Sequence, residues 1–90
     1  MIRLRGSFSA ADETEAVVIR QHLTAHITLT RAEPSCLSFA VTQTDDPLVW
    51  LVEELFKDQA AFDAHQARNR ASPWFAATHT LKRAYTITEE

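Results

Sequence analysis

The chain has 90 residues, of which 46% are hydrophobic and 23% are charged, with a formal net charge of -3. Its core is small relative to its surface, so we expect one domain over residues 1–90 that associates with a second copy. The acidic balance argues against nucleic acid or an anionic membrane as partner. The only cysteine, Cys36, cannot form an internal disulfide, which favours a reducing cytoplasm. No stretch approaches the roughly 20 apolar residues that a membrane span needs. The first residues also lack the apolar core of a signal peptide, so the sequence predicts an unprocessed, soluble protein.

The first third of the chain predicts a strand followed by a long helix. Residues 2–8 alternate between apolar and polar side chains, as expected of a strand with one buried face. Ser9 and Asp12 resemble a capping box, so a helix is expected from about Ala10 to about Ala32, where Pro34 ends it. The apolar stripe of this helix is formed by Ala16, Ile19, Leu23 and Ile27. We expect mild strain at Ser35, or a different turn there, because such a turn usually prefers glycine.

The remaining two thirds predict three more strands and two helices. The second strand places Leu37, Phe39 and Val41 on one face and small or polar side chains on the other; those are Cys36, Ser38, Ala40 and Thr42. After a polar turn, residues 49–56 are apolar on both faces except for two glutamates, which predicts a central strand covered on both faces. Asp58 and Ser72 are expected to cap two helices, and the last strand is expected over residues 84–88.

This order of elements is strand, helix, strand, strand, helix, strand. It predicts an α+β fold, the split βαβ sandwich of ferredoxin-like proteins, with a four-stranded antiparallel sheet and helices on one face. The other sheet face is left uncovered. Because an uncovered face with apolar residues is costly on so small a chain, we expect it to pack against the same face of a second copy.

Two side chains are candidates for acid–base chemistry. Glu54 points to the same side of its strand as Trp50 and Phe56, where poor solvation would raise its proton affinity. Alternatively, the Glu54 carboxylate is exposed to solvent or paired with an arginine and has no chemical role. His65 shares a helix face with Phe62 and Asn69, and it titrates near neutrality, so it is the best candidate base in the chain. A hydrogen-bonded packing histidine is the alternative.

The other histidines and the aromatic residues carry weaker signals. His22 and His26 lie one helical turn apart, a spacing that can hold a metal, yet no third ligand is evident, so no metal site is expected. His79 is expected in the same short helix as Trp74 and Phe75, and it could bind an iron or simply fray at the end of that helix. The aromatic side chains are expected to fill the core, with some lining any cavity. With Gly6 as the only glycine, phosphate-binding and dinucleotide-binding loops are absent.

Four segments resemble the antibiotic biosynthesis monooxygenase family, in its branch of quinol monooxygenases: residues 30–39 (TRAEPSCLSF), 50–58 (WLVEELFKD), 61–65 (AFDAH) and 72–75 (SPWF). The resemblance implies a dimeric α/β barrel, in which two ferredoxin-like sheets pack back to back and each keeps a pocket between the sheet and its own helices. The family's carboxylate matches Glu54. Its histidine best matches His65, with Asn69 as the alternative because the segment from 65 to 72 is longer than usual.

The resemblance also implies an activity. Oxygenases of the family use no metal or flavin, so no cofactor is expected. Deprotonation of a phenol or hydroquinone by His65 would start its reaction with molecular oxygen, and Glu54 would orient His65 or hold a substrate hydroxyl. The expected substrate-binding residues are Trp50, Phe56, Phe62, Asn69, Trp74 and Phe75.

Two other functions stay open. The first is haem binding or degradation, because Ser72, Phe75 and His79 resemble the spacing around the haem-ligating histidine of some relatives. Two features argue against it. The first strand lacks the asparagine of those relatives, and Asn69, three residues before Ser72, stands where they have a tryptophan. The second is a non-catalytic stress-response or ligand-binding dimer, in which Glu54 and His65 are structural.

Overall fold

The computed structural model describes residues 1–90 and contains four strands and three helices. In chain order these are β1 (Ile2–Ser9), α1 (Glu13–Arg31), β2 (Cys36–Gln43), β3 (Val49–Phe56), α2 (Gln59–Arg70), α3 (Pro73–Thr78) and β4 (Lys82–Glu89). The strands form one open antiparallel sheet in the order β2-β3-β1-β4. This arrangement confirms the predicted ferredoxin-like α+β fold. None of the helices is long and apolar enough to cross a membrane.

The core lies between one face of the sheet and the helices. β1 and β3 form the centre of the sheet, and alternate side chains of both point into the core. Ile19 of α1 is fully buried there, and Leu23 and Ile27 pack against the same core. The predicted apolar stripe of the long helix is therefore confirmed.

The helix caps follow the sequence with one correction. Asp58 accepts a hydrogen bond from the Ala61 backbone N–H at 2.8 Å, as predicted for the start of α2. At α1, however, the cap is Asp12, which accepts from the Glu15 backbone N–H at 3.0 Å, whereas Ser9 is the last residue of β1. The helix therefore begins three residues later than expected, because the Asp12 carboxylate is placed to satisfy a free N–H of the first turn.

β2 departs from strict alternation. Cys36 pairs with Phe56 and Ser38 pairs with Leu55, so Leu37 is an extra residue in the strand. As a result Leu37 is 53% exposed and does not share the face of the buried Phe39, so the prediction that these two residues lie on one face was wrong. The irregularity also leaves Cys36 beside Phe56 on the helix side rather than on the open face, because one inserted residue reverses the faces that precede it.

β3 is central, as predicted, but the helices cover only one of its faces. Trp50 and Phe56 are buried on that face, whereas Leu51 on the opposite face is 52% exposed. Glu53, also on the open face, pairs with Arg3 at 2.8 Å. Within the single chain the expectation of a doubly covered strand is therefore wrong.

The turn before β2 explains how Ser35 stands where a glycine was expected. No residue of the chain has a positive φ, so Ser35 carries no left-handed strain. The Cys36 N–H donates to the Glu33 carbonyl at 3.1 Å across Pro34 and Ser35. A turn of type I, which has Pro at its second position and negative φ at its third, fits these observations. Of the two expectations for this segment, the different turn is the one found.

Candidate functional site

A small cavity lies between the sheet and the helices, and all seven elements contribute to its wall. We call it the inner cavity; its volume is about 40 Å³. It is lined by Phe8, His26, Phe39, Val41, Val52, Glu54, Asn69, Trp74, Arg83 and Tyr85. The inner cavity is thus where polar side chains from distant parts of the chain meet inside the core.

Glu54 reaches the inner cavity from β3, where it lies opposite Leu4 and Phe39 of the neighbouring strands. It is only 7% exposed, and its Oε1 has no hydrogen-bond partner. Burial, together with the charge of Glu33, raises the pKa of Glu54 from 4.5 to about 7. A carboxyl group with that pKa exchanges a proton readily near neutral pH, as a general acid or base must.

His65 lies directly behind Glu54 and does not line the inner cavity. Its ring is almost fully buried beside Phe56, with ring centres 4.8 Å apart. Its Nε2 lies 3.7 Å from Glu54 Oε1, and its Nδ1 lies 3.0 Å from Glu33 Oε2. Burial lowers the pKa of His65, and the hydrogen bond and charge of Glu33 oppose that effect. His65 therefore contacts Glu54 on one side and a second carboxylate on the other.

Glu33 and Arg68 complete this arrangement, and neither was predicted from the sequence. The Arg68 guanidinium pairs with Glu33 and also donates to Thr30 Oγ1 at 2.9 Å. Both residues line a second pocket of about 300 Å³, the outer groove, on the far side of His65. The outer groove is lined by Glu33, Pro34, Ser35, Cys36, Phe56, Ala61, Ala64, His65 and Arg68. One available signal was the spacing of His65 and Arg68, which places them on the same face of α2.

His26 lies flat against Trp74, with ring centres 4.7 Å apart, and meets the edge of Phe39. Burial and the nearby positive side chains, Arg68 first, lower the pKa of His26 to about 4. It is therefore a neutral aromatic wall of the inner cavity. His22 lies beside it along a 60 Å³ cleft, and no three His, Cys, Asp or Glu side chains converge to hold a metal.

Three buried polar atoms without partners belong to residues that line the inner cavity. They are His26 Nδ1, Glu54 Oε1 and Asn69 Oδ1. Leaving such an atom unpaired costs about 1 to 3 kcal/mol. Because native proteins rarely leave buried polar atoms unpaired, three in one cavity make it the candidate binding site.

Two residues of β4 form the remaining polar wall, and neither was predicted from the sequence. Arg83 donates to the Thr78 carbonyl at 3.0 Å and brings a positive charge to the cavity. Tyr85 lies across Gly6, where a Cβ atom would come within 2.8 Å of the tyrosine ring and would also meet the Ala84 carbonyl. Glycine at position 6 thus allows the tyrosine to lie over β1.

Of the six predicted substrate-binding residues, two line the inner cavity, namely Asn69 and Trp74. Trp50 stacks on Phe8 at 5.7 Å, inside the core. Phe56 and Phe62 pack against each other at 5.8 Å on the side of the outer groove. Phe75 is half-buried and lines neither space, and His79 is exposed, its Nδ1 3.0 Å from the Ala76 carbonyl.

An open four-stranded antiparallel sheet with three helices defines a small ferredoxin-like α+β domain, and the polar cavity under its helices is the candidate site. The sequence pattern of the antibiotic biosynthesis monooxygenase family matches residues 1–80. The chain therefore belongs to this family, and membership supports a monooxygenase-type function. No curated protein matches the chain.

Solved structures agree with this assignment. An antibiotic biosynthesis monooxygenase structure from Deinococcus radiodurans is 26% identical to the chain; the match covers 100% of this chain and 92% of that one, with a TM-score of 0.77. A protein from Mycobacterium tuberculosis is 23% identical over 100% and 95% of the two chains, with a TM-score of 0.75. A third, from Nitrosomonas europaea, shares the fold at 15% identity over 100% and 98%, with a TM-score of 0.80.

Proposed function

We propose that the chain is a cofactor-independent monooxygenase that oxidises a small phenol or hydroquinone to a quinone with molecular oxygen. The observation that supports this proposal most is the unpartnered Glu54 carboxyl group in the inner cavity, with His65 directly behind it. Glu54 is the member of this pair that reaches the cavity. The predicted base, His65, would therefore act through Glu54 rather than on the substrate itself.

The reaction begins when Glu54 accepts the proton of a substrate hydroxyl. The resulting electron-rich anion gives one electron to molecular oxygen, and recombination of the two radicals forms a carbon–oxygen bond. The proton held by Glu54 returns to the peroxide oxygen, and loss of water leaves the quinone. Because the substrate and oxygen supply every electron, the protein needs only to bind, orient and move a proton.

The size of the inner cavity sets a condition on this function. Its 40 Å³ is far below the roughly 300 to 1,000 Å³ of ligand pockets. A substrate must therefore displace part of the wall, and Tyr85 is the best placed to move because it lies on an edge strand and is 38% exposed. The same small volume favours the second candidate function, a non-catalytic dimer. The haem alternative lacks such support because His79 lines neither the inner cavity nor the outer groove.

Oxygen uptake by the purified protein with a panel of hydroquinones and polyphenols tests the proposal. We expect Glu54→Gln to lower the rate at least about 100-fold, the usual contribution of a general base, and His65→Ala to lower it as well. Glu89→Gln, which changes an exposed carboxylate of β4, is the matched control. Full activity of Glu54→Gln would refute the mechanism, and binding of a panel compound without oxygen uptake would favour the non-catalytic dimer.

We also propose that the open sheet face binds a second copy. A shallow depression of about 510 Å³ crosses it, bordered by small side chains of β2 and the partly exposed Leu51. We expect Leu51→Lys to convert a dimer to a monomer in light scattering. Leu29→Lys, on α1 and similarly exposed at 53%, should leave the dimer intact. A wild-type protein that is monomeric at every concentration would contradict this association.

A further inference from the structure

Four charged or titratable side chains form a continuous row from the inner cavity to the outer groove. Glu54 faces the inner cavity, His65 lies behind it, and Glu33 and Arg68 line the outer groove. His65 is 3.7 Å from Glu54 and 3.0 Å from Glu33, and Glu33 pairs with Arg68. The side chain of Glu33 is 18% exposed, so the row leads from a buried carboxyl group toward solvent.

The contacts of His65 determine which ring nitrogen carries a proton. Glu33 accepts from the guanidinium of Arg68, so it faces His65 Nδ1 as an anionic acceptor, and Nδ1 must donate to it. Nε2 is then left opposite Glu54 Oε1, which has no other partner. Two unprotonated acceptors facing each other repel, so uptake of one proton, which either Glu54 or His65 can hold and which we call the shared proton, stabilises the pair.

We propose that Glu33 and Arg68 are the positioning residues of this site: Glu33 fixes the orientation and tautomer of His65, and the two opposite charges set how readily the Glu54–His65 pair releases its shared proton. The inference rests on the proposed function for its catalytic meaning, since Glu54 is the proposed base. It concerns two residues that do not line the inner cavity and act on Glu54 only through His65 and through their charge.

The groups around Glu54 show which charges can act on its carboxyl group. β1 and α3 present only apolar or aromatic side chains to it, namely Leu4 and Trp74. The titratable or charged groups around it are His26 from α1, Glu33 from the turn after α1, Cys36 from β2, His65 and Arg68 from α2, and Arg83 and Tyr85 from β4. Glu33 is the one whose charge raises the pKa of Glu54.

The two charges make opposite predictions. Removing the negative charge of Glu33 makes loss of the shared proton easier, so Glu33→Gln should shift the titration of the pair to lower pH. Removing the positive charge of Arg68 leaves Glu33 unneutralised, so Arg68→Gln should shift it to higher pH. Each shift should be on the order of one pH unit. A purely structural role of the ion pair would instead give both variants the same loss of stability, with the midpoint unmoved.

The experiment measures the Glu54 carboxyl titration by carbon-13 NMR and the His65 ring nitrogens by nitrogen-15 NMR, in the full chain without substrate. We expect opposite midpoint shifts in the two variants and loss of the Nδ1–H signature in Glu33→Gln. Asp63→Asn, an exposed change on α2, is the control and should leave the midpoint unmoved. Unmoved midpoints, or shifts in one direction in both variants, would overturn the inference.

Activity measurements separate this inference from the proposed function. If a substrate is turned over, the pH dependence of kcat/KM should move with the NMR midpoints in both variants. Opposite NMR shifts without any turnover would leave the positioning role intact and refute the proposed function. If Glu33→Gln does not fold, Arg68→Gln alone tests the inference. The side chain of Arg68 is 31% exposed, so we expect this variant to fold. Only a shift of its titration midpoint to higher pH agrees with the inference.

Discussion

The inner cavity and the outer groove lie on opposite sides of His65 and differ in how their polar groups are hydrogen-bonded. In the outer groove, Glu33 accepts hydrogen bonds from both His65 and Arg68. Around the inner cavity, three buried polar atoms have no partner. Paired groups hold a fold together, whereas unpaired ones lower stability and are retained where they meet a ligand. The difference supports the proposed tuning role of the groove and the proposed binding role of the cavity.

Removal of Trp74 is expected to have the largest effect, because its buried ring lines the inner cavity and packs against two other rings of the core. Trp74 is 6% exposed and contacts both His26 and Phe8. We expect Trp74→Ala to lower the free energy of unfolding by about 3 to 5 kcal/mol, as for other buried aromatic residues. Urea unfolding followed by circular dichroism measures this. If the cavity limits ligand size, the variant should also bind phenol more tightly than the wild type.

Phe75→Ala is the control for this prediction, since Phe75 is the neighbouring aromatic of α3 and is only half-buried. We expect it to cost clearly less stability and to leave phenol binding unchanged. Equal losses in the two variants would mean that Trp74 has no special place in the wall of the cavity.

The next effect is on the pH dependence of stability, where two residues of the inner cavity oppose each other. The pKa of Glu54 is raised from 4.5 to about 7, so its contribution is present below pH 4.5 and is lost as the pH rises to about 7. The pKa of His26 is lowered from 6.5 to about 4, so its contribution is present above pH 6.5 and is lost as the pH falls to about 4. Each amounts to roughly 3 kcal/mol.

Because these two contributions have opposite signs, they largely cancel between pH 4.5 and 6.5 in the wild type. Glu54→Gln should therefore make the loss of stability on acidification steeper, and His26→Gln should make it shallower. Urea unfolding at pH 4.5, 5.5, 6.5 and 7.5 measures both slopes. Parallel curves for the wild type and Glu54→Gln would show that Glu54 titrates normally and is not a perturbed acid of the cavity.

A feature of this chain could be predicted from the sequence when its signal is local. The fold follows from local signals: alternation in β1, the stripe on α1 and the Asp58 cap each depend on residues within a few positions. Leu37 was misplaced because one inserted residue reverses a strand's faces, and alternation alone does not reveal an insertion.

The site was predicted only in part, because several of its residues meet only through contacts between distant parts of the chain. Glu54 was identified because a carboxylate among apolar residues of a strand is visible locally. Glu33 and Arg68 were not, because they are 35 positions apart and meet only through tertiary packing. Arg83 and Tyr85 were missed likewise, since β4 joins the cavity by pairing with the distant β1. Local patterns thus identified some side chains of the site, namely Glu54, His65, Asn69 and Trp74, whereas the others depend on contacts between distant parts of the chain.

The smallest predicted effect concerns Ser35, on the rim of the outer groove, where the expected kind of turn usually prefers glycine. Ser35 has a negative φ, and its carbonyl accepts from the Lys57 N–H at 3.0 Å. Glycine offers no relief of strain here and adds freedom to the unfolded chain, so Ser35→Gly should lower stability by about 0.4 to 1 kcal/mol. Urea unfolding at neutral pH, with Ser35→Ala as the comparison, measures it. A gain in stability would mean that the turn prefers a left-handed residue, and the type I turn assigned to this rim would then be wrong.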